Sequence, residues 1–156
     1  MHIRLIAVGD RQPSWVDAAF DDYVGRLPKQ WRFTLHTVPV AKRGRSDAAG
    51  AAIAEEQQKI MAGLKPDEQV VLLDEKGEHT TSREFSARLE AWLAGGRDLC
   101  FVIGGPDGVG SQVRERADFC WSLSRLTLPH GMARVLFAEQ LYRAWAIGKG
   151  HPYHRE

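Results

Sequence analysis

Short, almost uninterrupted apolar runs alternate along this chain with stretches of helical periodicity, and that alternation decides which architectures are open to it. Residues 3–8, 33–38, 70–74 and 99–103 read as strands, with a weaker one at 120–123. Strands that are apolar on consecutive residues need cover on both faces. A β-α-β-α rhythm supplies it, because each crossover between parallel strands lays a helix over the sheet. The expected fold class is therefore α/β, a mostly parallel sheet flanked by helices. The length, 156 residues, suits one domain spanning residues 1–156, and no repeat or interdomain linker interrupts it.

The intervening segments carry helix signals of unequal strength. The first helix follows Pro13 and sets Trp15, Val16, Ala19, Phe20, Tyr23, Val24 and Leu27 at helical spacing on one face. The second, opened by Ser46, is alanine-rich and weakly amphipathic, which predicts a surface helix. The third begins with a capping box, Thr81 and Glu84, carries Phe85, Leu89, Trp92 and Leu93, and stops at Gly95-Gly96. The last, over about residues 132–147, is apolar nearly all round: Met132, Val135, Leu136, Phe137, Leu141, Tyr142, Trp145 and Ile147 leave a narrow polar strip. Such a helix is buried on more than one side, either at the centre of the core or in a subunit interface, and periodicity does not choose between them.

Charge and cysteine content narrow the function classes. Twenty-one basic and 20 acidic residues leave a net charge of +1, so any RNA contact has to come from local patches. The apolar run at residues 3–8 is shorter than a signal-peptide core, and no segment approaches a membrane span, so a cytoplasmic protein is expected. Cys100 and Cys120 lie in apolar stretches without metal-ligand spacing and read as free core thiols of a reducing compartment.

Gly104-Gly105-Pro106-Asp107-Gly108-Val109-Gly110 follows the fourth strand and precedes a helix start at Ser111. It lacks the lysine of a P-loop and follows the wrong strand for a dinucleotide fingerprint, and the second strand ends without the acidic residue that would hold a ribose. Taken alone, a strand-to-helix turn is its plainer reading. Three segments should nevertheless meet at the C-terminal sheet edge: Leu72-Leu73-Asp74, the glycine loop, and residues 123–128. A pocket there, lined by backbone and aliphatic side chains with few charges, suits an adenosine-containing ligand. Lys42, Arg43 and Arg45 form a short basic cluster, ordinarily solvated surface and otherwise a phosphate contact for RNA.

The chain stops on His151-Pro152-Tyr153-His154-Arg155-Glu156, two histidines, a tyrosine and an arginine within six residues. The paired histidines have no third ligand at suitable spacing, and no metal site is expected. His130, after Pro129, reads as a structural histidine. His154 and Arg155 are candidates for substrate contact or proton handling.

Several ordered motifs carry a family resemblance over the whole chain. These are Leu73-Asp74-Glu75-Lys76-Gly77, Ser82 and Phe85, Ile103-Gly104-Gly105-Pro106 with Gly108, Leu123-Ser124 with Leu126-Thr127-Leu128-Pro129-His130, then Arg134, Glu139-Gln140, Tyr142-Arg143-Ala144 and Pro152-Tyr153-His154-Arg155. They resemble the ribosomal large subunit methyltransferase H family of the SPOUT, or α/β-knot, methyltransferases. Gly131-Met132-Ala133 departs from that family's pattern in a way that bears on packing.

The resemblance implies transfer of a methyl group from S-adenosyl-L-methionine to N3 of pseudouridine 1915 in 23S rRNA of the ribosome. It also implies a C-terminal trefoil knot, a topology that general connection rules exclude, and a homodimer built through the last helix. Carried over by position, Leu73, Gly104, Gly105, Leu123, Ser124, Arg125, Leu126, Thr127 and Leu128 would hold the cofactor. His154, Arg155 and Tyr142 would serve catalysis, and Lys42, Arg43, Arg45, Arg143 and Tyr153 would meet the substrate. Two other readings stand beside this one: a non-catalytic ribosome-binding protein that keeps the fold, and a nucleotide-binding enzyme of another class. The intact Gly104-Gly105-Pro106 and the intact 123–129 segment speak against the first, and the misplaced glycine loop and missing acidic residue against the second.

Overall fold

The computed structural model describes residues 1–42 and 48–154. Its five strands are β1 (Ile3–Val8), β2 (Thr34–Val38), β3 (Gln69–His79), β4 (Leu99–Ile103) and β5 (Phe119–Ser122). They lie side by side in the order β2-β1-β4-β3-β5, every neighbouring pair parallel. Four helices make the crossovers such a sheet requires: α1 (Ser14–Val24), α2 (Ala48–Gly63), α3 (Ser82–Ala94) and α4 (Ser111–Arg116). A fifth, α5 (His130–Gly148), follows the last strand.

Alternation along the strands sorts the core into two layers. Ile3, Leu5 and Ala7 of β1 and Leu99, Phe101 and Ile103 of β4 pack with Phe20 of α1, Phe85 and Leu89 of α3, and Phe137 and Leu141 of α5. Their neighbours Ile6, Val8, Cys100 and Val102 face Ile60 of α2 and Val113 of α4. Helices α1, α3 and α5 thus cover one face, and α2 and α4 the other. Phe85 anchors the larger layer, stacked on Trp121 at 4.0 Å and edge-on to Phe101 at 6.3 Å. Burying each such ring contributes about 1.5–3 kcal/mol.

Local signals set the helix ends. The capping box is present, with Thr81 Oγ1 accepting from the Glu84 N–H and Glu84 Oε2 accepting from the Thr81 N–H. At the start of α5 a Cβ on Gly131 would lie 2.8 Å from Val16 Cγ2. The small residues of Gly131-Met132-Ala133 therefore let α5 close on α1, while Met132 stays 38% exposed.

The structure corrects several expectations. Helix α2 is no mere surface helix: Ala52, Glu56 and Ile60 are buried and close the second face of the sheet. Its alanines hide this, since small side chains produce little amphipathic contrast. The expected start at Ser46 lies outside the described residues. Trp15 leaves the apolar face of α1 and is 54% exposed, because the buried stripe runs through Val16 and Phe20. The 33–38 strand sits at the sheet edge with most of its side chains exposed, so only one of its long sides is paired. The largest difference concerns β3, expected to stop at Asp74 and found to run on to His79.

Candidate functional site

That extension shapes the site. Leu73 and Glu78 of β3 both stand opposite Trp121 of β5, so the residues between them are looped out of the ladder. Gly77 makes this possible, because a Cβ there would sit 2.7 Å from the Trp121 backbone. The bulge carries Asp74, Glu75 and Lys76 over the end of the sheet. Asp74 is pinned there by two bonds: Oδ1 accepts the Lys76 N–H at 2.9 Å and Oδ2 the Arg114 guanidinium at 2.8 Å.

The second wall comes from the end of β4. Gly105 and Gly108 pair across a tight turn, with the Gly108 N–H donating to the Gly105 carbonyl at 3.0 Å and Gly108 at φ +86°. A Cβ on Gly105 would collide with the buried Glu56 carboxylate, and one on Gly110 with the Gln57 amide. Gln57 Oε1 also accepts the Gln112 N–H at 3.0 Å. Side chains of α2 therefore hold the glycine turn and the start of α4 in place from behind.

The third wall is the segment after β5. Ser122 Oγ donates to the Ser124 carbonyl at 3.0 Å, and Ser124 Oγ accepts the Leu126 N–H at 2.9 Å. Among the described residues, positions 125–128 make no backbone–backbone hydrogen bond. Apart from the Leu126 N–H, which Ser124 Oγ holds, their N–H and C=O groups are thus available to a ligand's polar edge. His130 and Ala133 of α5 complete the enclosure.

The resulting cleft has a volume of about 380 Å³, within the range of roughly 300–1,000 Å³ usual for small-molecule sites. Of the cofactor residues expected from sequence, Leu73, Gly104, Gly105, Leu123, Ser124, Leu126, Thr127 and Leu128 line it. Arg125 is exposed and does not. His130, read as structural, does. The expectation of few charges is corrected, since Asp74, Glu75, Lys76, Asp107 and Arg114 also border the cleft. One sequence signal pointed to the bulge: polar residues interrupting an apolar strand just before a glycine. Nothing singled out Arg114 in its short helix.

The C-terminal candidates form a separate cluster. The chain turns after α5 with Gly150 at φ +65° and folds back along the helix. Tyr153 meets Tyr142 edge-on at 4.6 Å, and its hydroxyl donates to Glu139 Oε1 at 3.0 Å. Arg143 pairs with the same carboxylate at 2.7 Å and lies over the Tyr153 ring. Burial, then the Tyr23 hydroxyl and the Glu139 charge, push the Tyr153 phenol well above its ordinary value, so it remains a donor. Tyr142 is buried, while Nδ1 of His154 is shielded from solvent without a hydrogen-bond partner among the described residues.

Among the described residues, this cluster does not reach the cleft. Tyr142 follows Ala133 by nine residues, which places it about 14 Å further along the axis and about half a turn round the helix. Lys42 is exposed, and Arg43, Arg45 and Arg155 lie outside the described residues.

A three-walled cleft at the C-terminal ends of β3, β4 and β5, closed by the first turn of α5, is the framework of an α/β-knot methyltransferase. The family model described as "Predicted SPOUT methyltransferase" matches residues 1–154, and the chain belongs to that family. Within it the similarity is specific. A ribosomal RNA large subunit methyltransferase H from Thioalkalivibrio sulfidiphilus is 49% identical, and one from Hydrogenovibrio crunogenus 42%, each over 100% of both chains. A third, from Laribacter hongkongensis, is 47% identical over the same span. Among solved structures, a probable methylase family protein from Haemophilus influenzae Rd KW20 superposes with a TM-score of 0.56 at 13% identity. The match covers 99% of this chain and 70% of that one, a likeness of fold.

Proposed function

We propose that residues 1–156 form one methyltransferase unit that uses S-adenosyl-L-methionine to methylate N3 of pseudouridine 1915 in 23S rRNA; the names of its relatives support a large-subunit ribosomal RNA methyltransferase, and the family resemblance supplies the cofactor and the nucleotide. The observation that carries this reading is the cleft itself. Residues 125–128 offer uncommitted backbone groups to a heterocycle, and Leu73, Ile103, Val109 and Leu128 supply its apolar walls. We take the segment after β5 as the part of the chain that threads a trefoil knot. Bound there, the cofactor supplies a methyl carbon already activated by a sulfonium.

The remaining work falls to alignment and to removal of the N3 proton. His154 is the group best suited to the proton, with Arg155 and Tyr153 orienting the base. Because the tail cluster lies on the far side of α5 from the cleft, we infer a homodimer through the C-terminal helix in which each tail completes the other protomer's cleft. Mixing Gly104→Ala and His154→Ala variants, each inactive alone, should restore about a quarter of wild-type activity after random exchange. No recovery, with exchange verified, refutes the shared site.

A net charge of +1 gives little grip on naked RNA, so the substrate in this reading is an assembled ribosome, with Lys42, Arg43, Arg45 and Arg143 as phosphate contacts in the cytoplasm. The deciding experiment is transfer of labelled methyl from S-adenosyl-L-methionine to ribosomes lacking the modification, followed by location of the label. Label at N3 of the pseudouridine supports the reaction, the cofactor and the target nucleotide together. Equal labelling of free rRNA removes the ribosome requirement. Tight cofactor binding without label moves the enzyme to another RNA, and binding to ribosomes without cofactor affinity leaves the non-catalytic alternative.

A further inference from the structure

One ion pair in the cleft has no part in the reaction as described. Asp74, on the β3 bulge with its side chain 9% exposed, meets Arg114 of α4, 39% exposed, at 2.8 Å. Both border the cleft, and they approach it from different walls, 40 residues apart in sequence. This sets them apart from Arg26–Asp22 and Lys59–Glu55, which are exposed pairs one helical turn apart.

The two partners are held unequally. Asp74 is fixed, since its other oxygen accepts the Lys76 N–H and the bulge is locked against β5 through Gly77. Arg114 is the freer one: its Nη2 lies beside Gly108, 3.9 Å from where a Cβ would stand, and among the described residues its guanidinium bonds Asp74 alone. Burial, then the Asp74 charge, raises the Cys120 thiol, and Arg114 lowers it. Both charges are therefore felt at Cys120 on β5 and not only in solvent.

We propose that Asp74 and Arg114 form an amino-acid clamp, in which the carboxylate receives the α-ammonium, and the guanidinium the α-carboxylate, of the zwitterionic tail of the bound cofactor. The inference rests on the reading of the cleft as an S-adenosyl-L-methionine site. Insertion of the zwitterion exchanges one protein ion pair for two charge-assisted contacts and leaves neither charge of the amino-acid tail uncompensated. Arg114 swings outward to admit the tail, while Asp74 stays. The clamp selects for the amino-acid end of the ligand and is indifferent to the methyl group, so S-adenosylhomocysteine should depend on it as strongly as S-adenosyl-L-methionine does.

Calorimetry with three probes tests the clamp: S-adenosyl-L-methionine, S-adenosylhomocysteine, and 5′-methylthioadenosine, which lacks the amino-acid tail. Asp74→Asn and Arg114→Gln should each weaken the first two by about 10- to 100-fold, the scale of a charged hydrogen bond, and leave the third within about twofold. Arg114→Lys, which keeps the charge, should recover part of the loss. Equal weakening of all three probes would show that the pair only shapes the cleft, and no weakening of any would make it an ordinary surface pair. Either result overturns the clamp while leaving the cofactor reading intact. Wild-type protein that binds none of the three removes the cofactor reading, and the clamp with it.

Discussion

Substituting Gly104 by alanine probes the cleft with a single methyl group. A Cβ at that position would lie 2.5 Å from Val109 Cγ1 and 3.1 Å from the carbonyl carbon and oxygen of Gly108. Carbon atoms pack at about 3.5–4.0 Å, so the glycine turn must move by roughly 1 Å. The backbone of Gly108 bars the route that a flexible side chain would leave open. Overpacking of this kind costs about 1–3 kcal/mol, which for a chain of this size lowers Tm by roughly 3–10 °C. Displacement of a cleft wall by about 1 Å should also cut methyl transfer by about 100-fold. The assay pairs thermal unfolding with transfer of labelled methyl. Adding Val109→Ala removes the colliding Cγ1 atom and should restore at least half of the lost stability, a coupling that distant substitutions do not show. A Gly104→Ala protein with unchanged Tm and unchanged cofactor affinity, or a double variant no better than the single, refutes the steric account.

Three further outcomes are expected. Glu68, 1% exposed, accepts hydrogen bonds from Arg4 and from the Lys65 N–H; Glu68→Ala should cost about 3–5 kcal/mol in denaturant unfolding, and an apolar replacement of both partners much less. A loss under 1 kcal/mol for the single variant contradicts this. Burial pushes the Cys100 thiol up to about 12, from an ordinary 9.0, so the stability it contributes is complete below pH 9 and is lost as pH rises toward 12. Cys100→Ala should flatten that alkaline loss, and iodoacetamide at pH 8.5 should label Cys120 ahead of Cys100; the reverse order of labelling counts against a sealed layer. His154→Ala should lower turnover and leave cofactor affinity nearly intact, whereas parallel loss of both in steady-state kinetics and calorimetry makes the residue structural.

The strands, the capping box and the three segments that build the cleft were legible because each depends on nearby residues. Continuous apolar runs imply the parallel sheet, and the tendency of ligands to bind at strand ends brings Leu73, Gly104 and residues 123–128 to one edge. What escaped was set at long range. The bulge after Leu73 exists because β5 lies where a Cβ on Gly77 would be, and nothing local says which strand lies there. Arg114 enters the cleft only because α4 is held by Gln57 from another helix. The burial of α2 followed from the sheet face it seals, and alanine carries no periodic signal of that. The tail motif announced reactive groups without revealing that they fold back along α5, on the side away from the cleft.

The strand order also governs how this protein comes off the ribosome that makes it. Strands β1 and β3 do not pair with each other; both pair with β4, which is synthesised after either of them. Until residue 103 has emerged, the nascent chain holds a β1–β2 pair and a lone β3, each with an open edge and apolar faces. Open edges of this sort attract other strands. The insertion of five residues, Leu99–Ile103, joins the two halves at once. A halt with the chain emerged just short of Leu99 therefore exposes four open strand edges, and one with Ile103 already out leaves two.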